Sequence, residues 1–185
     1  MQIESITKSY VVRAVLVVMF LLLSMSGRAI ALQEDGQQLT QVLGHARDEA
    51  AELARDADEM ESLIRNDVSW EAHAVMLDRV KDHVNNMARI VAKLSETRPS
   101  GSELQQQAVD RILPLVKELA ANTTAAINYL NQNKSRPKTD PYTQYLHDNA
   151  ETAHQLSSTV SSLWEYEKSM TRIAKLKNKL ELSGQ

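Results

Sequence analysis

The sequence predicts an all-α fold, an antiparallel up-down-up-down four-helix bundle preceded by an N-terminal signal peptide. Three observations carry that prediction. Trp70, His73, Leu77, Val80, Val84, Met87, Val91 and Leu94 alternate steps of three and four residues, the spacing that keeps one stripe of a helix against partner helices, as in a coiled coil. Aromatics make up only 4% of the chain, with 5 Gly and 4 Pro, a mixture that favours helices and leaves little material for strands. Short polar clusters divide the rest into four amphipathic segments, which an antiparallel bundle connects most simply.

Residues 1–31 read as a signal peptide. Lys8 and Arg13 precede the apolar run Ala14 to Leu23, and Ala29-Ile30-Ala31 supplies the small-x-small pattern of a cleavage site. The run from Tyr10 to Met25 is shorter than the roughly 20 residues a spanning helix needs; the alternative to cleavage is an uncleaved N-terminal membrane anchor. Either way the body, residues 32–185, is expected outside the cytoplasm, periplasmic or secreted.

Helix 1 is expected over about residues 36–65, starting from the capping-box variant Asp35/Gln38 and carrying Leu39, Leu43, Ala46, Ala50, Leu53, Ala57, Met60 and Ile64. Gly44 weakens it by about 1 kcal/mol relative to Ala unless a neighbouring backbone approaches there. Ser69 caps helix 2, about 70–97, which Arg98-Pro99-Ser100-Gly101 ends. Ser102 with Gln105 opens helix 3, about 103–131, with Val109, Ile112, Val116, Leu119, Thr123, Ala126 and Leu130 inward and an expected kink at Pro114. After the polar connection Asn131 to Asp140, Asp140-Pro141 starts helix 4, about 141–182. Its inward face reads Tyr142, Leu146, Ala150, Ala153, Leu156, Val160, Leu163, Met170, Ile173 and Leu180, and it overhangs its partners by about 15 Å.

Without residues 1–31 the chain loses three basic residues (Lys8, Arg13, Arg28) and one acidic (Glu4), leaving 18 basic against 23 acidic, a net −5. A surface of that sign repels nucleic acid. The absence of cysteine excludes thiol catalysis, Fe–S clusters, covalently attached haem and cysteine zinc sites. No nucleophile motif, phosphate loop or Gly-rich fingerprint occurs, so no enzyme is expected. Asn122-Thr-Thr124 and Asn133-Lys-Ser135 match the glycosylation acceptor pattern, which has meaning only in a eukaryotic source.

Bundle connectivity collects Met60, Trp70, His73, Tyr129, Tyr142, Tyr145 and His147 at one pole. A buried Met60 and His73 form a candidate axial pair for non-covalent haem b. In this the architecture resembles, in shape alone, the soluble four-helix cytochromes b, which implies a cofactor carrier. That family places its methionine early in the first helix and its histidine late in the last, and this sequence does neither; the competing reading is an aromatic end-plug. His147, Glu151 and His154 share one stripe of helix 4 and include one E-x-x-H unit, a candidate for a divalent metal, although di-metal bundles use that unit twice. His45 and His83 have no suitable neighbour on their own helices.

Lys168, Arg172, Lys175, Lys177 and Lys179 form a basic end on helix 4 that exceeds what complementing the helix dipole requires. The expected function is therefore a non-enzymatic interaction or structural module of the cell envelope, with a protein partner or self-association through this end. Membrane contact is expected if the N-terminal segment is retained. The alternative is the haem-type carrier at Met60 and His73.

Overall fold

A computed structural model describes residues 38–66, 68–96, 102–134 and 139–183, and the helical body is the unit Leu39–Gln185. The signal peptide or anchor of residues 1–31, the Asp35 cap and the loop at 98–101 lie outside the described residues. Among those described, every regular element is helical, in agreement with the three-and-four periodicity. Helix α1 covers 38–62 and closes in a 3₁₀ turn, Leu63–Arg65; α2 is Trp70–Glu96, α3 Glu103–Gln132 and α4 Asp140–Ser183.

The ends are set by local chemistry. The last turn of α1 tightens as the Asn66 N–H donates to the Leu63 carbonyl at 3.1 Å and the Asn66 side chain donates to the Ser62 carbonyl at 3.2 Å. The Ser69 hydroxyl accepts from the Ala72 N–H at 3.4 Å, and that of Ser102 from the Gln105 N–H at 3.2 Å, so each occupies an N-cap. Helix α4 begins one residue before the expected Pro141: the Thr139 carbonyl accepts from the Thr143 N–H at 3.0 Å, which puts Asp140 in the positive first turn. The Thr139 hydroxyl is hydrogen-bonded to that of Tyr129, tying the start of α4 to the end of α3. Pro114 is accommodated within α3, which continues to Gln132.

One core runs through the body. It takes Leu43, Leu53 and Met60 from α1, Leu77, Val84 and Met87 from α2, Ile112 and Leu119 from α3, and Tyr142, Leu146, Leu156 and Val160 from α4. Each large aliphatic side chain buried in this way contributes roughly 1.5–3 kcal/mol. Helix α3 packs on both α2 and α4. Helix α1 is joined to α2 and α4 by polar pairs described below. Between α3 and α4 the apolar layer is interrupted by buried Thr123, whose hydroxyl lies 3.4 Å from the Asn149 side-chain oxygen, and by buried Thr152.

The end of α4 departs from the expected inward face. Tyr142 through Leu163 of that stripe are buried, but Met170, Ile173 and Leu180 are exposed. The reason is length: α4 has 44 residues against 27 in α2 and 30 in α3. From Lys168 onward it runs for about 24 Å at 1.5 Å per residue, longer than the overhang read from sequence.

Gly44 faces an indole rather than a backbone. A Cβ at Gly44 would sit 3.3 Å from Trp164 Nε1 on α4, so the glycine makes room for the ring. The ring is also flanked by Arg47 of α1, 4.0 Å from its centroid, and by Lys168, 4.4 Å away. In chemical denaturation, Gly44→Ala is expected to add about 1 kcal/mol of stability in a Trp164→Ala background. In the parent it should add much less, because the methyl group and the indole compete for one space; equal gains in both backgrounds would contradict the contact.

Candidate functional site

Three polar or exposed features stand out against the core. The first is the pole occupied by His73. Both Met60 and His73 are fully buried at inward positions. Nδ1 of His73 shares a hydrogen bond with the Tyr142 hydroxyl at 3.2 Å, and the two rings meet edge to face with centroids 5.5 Å apart. Tyr129 stacks on Tyr142 with centroids 5.9 Å apart. Burial pushes the Tyr142 phenol well above its ordinary value, so it is a neutral O–H at physiological pH. Of the expected pole, His73, Tyr129 and Tyr142 are brought into one cluster of rings. Trp70 instead sits under the Lys134 ammonium, 4.3 Å from its centroid, and His147 turns outward.

The second feature joins α1 to α2 and has no counterpart in single-helix reasoning. Asp56 is fully buried, and its Oδ1 accepts from Arg79 Nη2 at 2.9 Å and lies 3.0 Å from Arg55 Nη2. Nδ1 of His83 is 2.6 Å from Glu49 Oε1, and its Nε2 is 3.4 Å from Asp56 Oδ2. Asn86 also donates to Glu49 Oε1, at 2.9 Å. The partners of His83 lie on α1, beyond the reach of the expectation, which concerned its own helix alone.

His147, Glu151 and His154 are not assembled as a ligand set. His147 Nδ1 lies 2.9 Å from Glu61 Oε1, and His154 Nε2 lies 2.9 Å from Asp58 Oδ1, so each imidazole turns to a different carboxylate of α1. The Glu61 hydrogen bond and charge push the His147 imidazole up from its ordinary value. Among the described residues no group of three or more His, Cys, Asp or Glu side chains is placed to hold a metal ion.

The third feature is the α4 extension. Tyr166 is 55% exposed, Met170 46%, Ile173 58%, Leu176 53% and Leu180 74%. At about 100° per residue these five fall within roughly a third of the helix circumference. Lys168, Arg172, Lys175 and Lys179 occupy a separate sector on the far side, while Lys177 lies in the apolar sector, 3.9 Å from Glu181 one turn on. The sequence had marked the cations. The spacing puts Met170, Ile173 and Leu180 on the inward face of an overhanging helix, and the structure exposes all three, so the basic segment carries an apolar face as well.

No family model, curated protein or solved structure matches this chain. Among the described residues no helix is long and apolar enough to cross a membrane.

At the root of the extension, burial pushes the Glu167 carboxyl up from its ordinary 4.5, partly offset by the Thr171 hydroxyl. A raised carboxyl means that the folded state resists the charge. The cost is absent below pH 4.5, where both states are protonated, and complete once the pH passes the raised value. Glu167→Gln is therefore expected to raise Tm at neutral pH, with the gain vanishing in acid; a gain independent of pH would refute the assignment. Tyr142→Phe, which removes the partner of His73 without opening a cavity, is expected to cost about 1–3 kcal/mol in denaturant unfolding. An unchanged midpoint would show that the bond contributes nothing.

Proposed function

We propose that this protein is an exported, non-enzymatic helical interaction module of the cell envelope, built as an antiparallel up-down-up-down bundle and acting through the α4 extension. The exposed apolar face of residues 166–180, with a basic sector behind it, is the observation that carries the reading. Soluble domains rarely leave several large apolar side chains contiguous on one face unless something covers them.

The antiparallel arrangement draws support from the order of cross-helix pairs. Along α1, Glu49 meets His83 and Asp56 meets Arg79, so one helix climbs as the other descends. Arg47 with Trp164, Asp58 with His154 and Glu61 with His147 give the same sense for α1 and α4. Thr123 with Asn149 and Tyr129 with Tyr142 give it for α3 and α4. Export rests on the order of charges, apolar run and small residues in 1–31. A haem carrier at Met60 and His73 has less support: the Tyr142 hydroxyl on Nδ1 of His73 would leave Nε2 to ligate, but both side chains are fully buried in a core that would have to open to admit a macrocycle.

Retention of the purified protein on washed envelope material from its host, measured with and without residues 169–185, tests the proposal. Loss of retention on deletion, with the helical circular dichroism of the body intact, is the expected result. Equal retention of both forms would remove the extension from the function.

A further inference from the structure

The extension presents two chemistries at once, and its occupant must satisfy both. Residues 168–185 carry five basic side chains and one acidic, a net +4, whereas residues 32–167 carry 13 basic against 22 acidic, a net −9. The occupant is therefore anionic. It must also offer apolar contact to the stripe that runs from Tyr166 through Ile173 to Leu180.

A second copy of this chain meets only one demand at a time. Pairing two extensions sets +4 against +4. Docking the extension on the acidic body of another copy satisfies charge, but outside the stripe the one exposed large hydrophobic side chain among the described residues is Val75. The described part of the body thus offers one exposed large apolar side chain to a stripe of five.

We infer that the α4 extension binds the surface of an anionic phospholipid bilayer, lying in the interface with Tyr166, Met170, Ile173, Leu176 and Leu180 toward the acyl chains. This rests on the interaction-module reading above and names its partner. A basic helix with an apolar face and low net hydrophobicity is the physical type that adsorbs to a bilayer without crossing it. Lys177, inside the apolar sector, reaches the headgroups along its own aliphatic stem. Tyr166 is an amphipathic ring of the kind that settles at headgroup level, and it stands beside the clamp of Trp164 by Arg47 and Lys168 that fixes the root of the helix. The −9 body is repelled by the same surface, so the protein approaches with its extension leading.

The test is co-sedimentation of the full chain with phosphatidylcholine vesicles made with and without phosphatidylglycerol. Binding is expected to rise with the anionic lipid and to fall as salt is added. Arg172→Gln combined with Lys175→Gln should lower the anionic increment about 30-fold, at about 1 kcal/mol per cation. Ile173→Ser with Leu176→Ser should lower binding at least about tenfold. All four positions are exposed, so helical content should be unchanged and circular dichroism controls for folding. Equal binding to both vesicle types, or indifference to both double variants, would overturn the inference. Failure on lipid together with extension-dependent retention on envelope material would also overturn it, and would assign an acidic protein partner while leaving the interaction-module reading in place. Failure of both would dispose of both.

Discussion

Apolar side chains on four helices can leave water together only over the length that all four share. That constraint governs this molecule. Over the shared length, α4 places Leu146, Leu156, Val160 and Leu163 against its neighbours. Beyond it, the seam would continue through Glu167, Met170, Ala174, Lys177 and Glu181, and it loses its apolar character. The large apolar residues move instead to 166, 173, 176 and 180, rotated away from the seam. One uninterrupted helix therefore has two faces, one for the core and one for the surroundings. Each large side chain of the second face forgoes roughly 1.5–3 kcal/mol while it remains in water.

Polar groups sit where they distinguish one helix pairing from another. Asp56 is buried and compensated by Arg79 and Arg55, with His83 bridging toward Glu49. Such a group is costly unless its partners are present, so it penalises registers that separate α1 from α2 more than it adds net stability. Thr123 and Asn149 do the same for α3 and α4, and His73 with Tyr142 for α2 and α4. A set of apolar stripes alone would tolerate sliding by one turn; these pairs do not.

The seams of α1, α2 and α3 were legible because burial and periodicity coincide there: Leu43, Leu77 and Ile112 are inward both by spacing and by position. Spacing failed at Met170 because it is silent on whether anything stands opposite, and at Ile173 and Leu180 because they also turn off the seam. The roles of His83, His147 and His154 were not legible for a related reason. Their partners, Glu49, Glu61 and Asp58, lie on another helix, at a distance in sequence that no local pattern encodes. Gly44 looks like a weakness in α1 from helix propensity alone, because the indole of Trp164 that fills the space beside it lies on another helix.

The division of α4 into a packed half and an exposed half is tested most directly by amide hydrogen exchange, residue by residue, in the isolated protein. Amides from Leu146 to Leu163 should exchange only through global unfolding, whereas those from Lys168 to Glu181 should exchange through local fraying, faster by orders of magnitude. Uniform protection along the whole of α4 would mean that the extension is already covered, and would contradict the account.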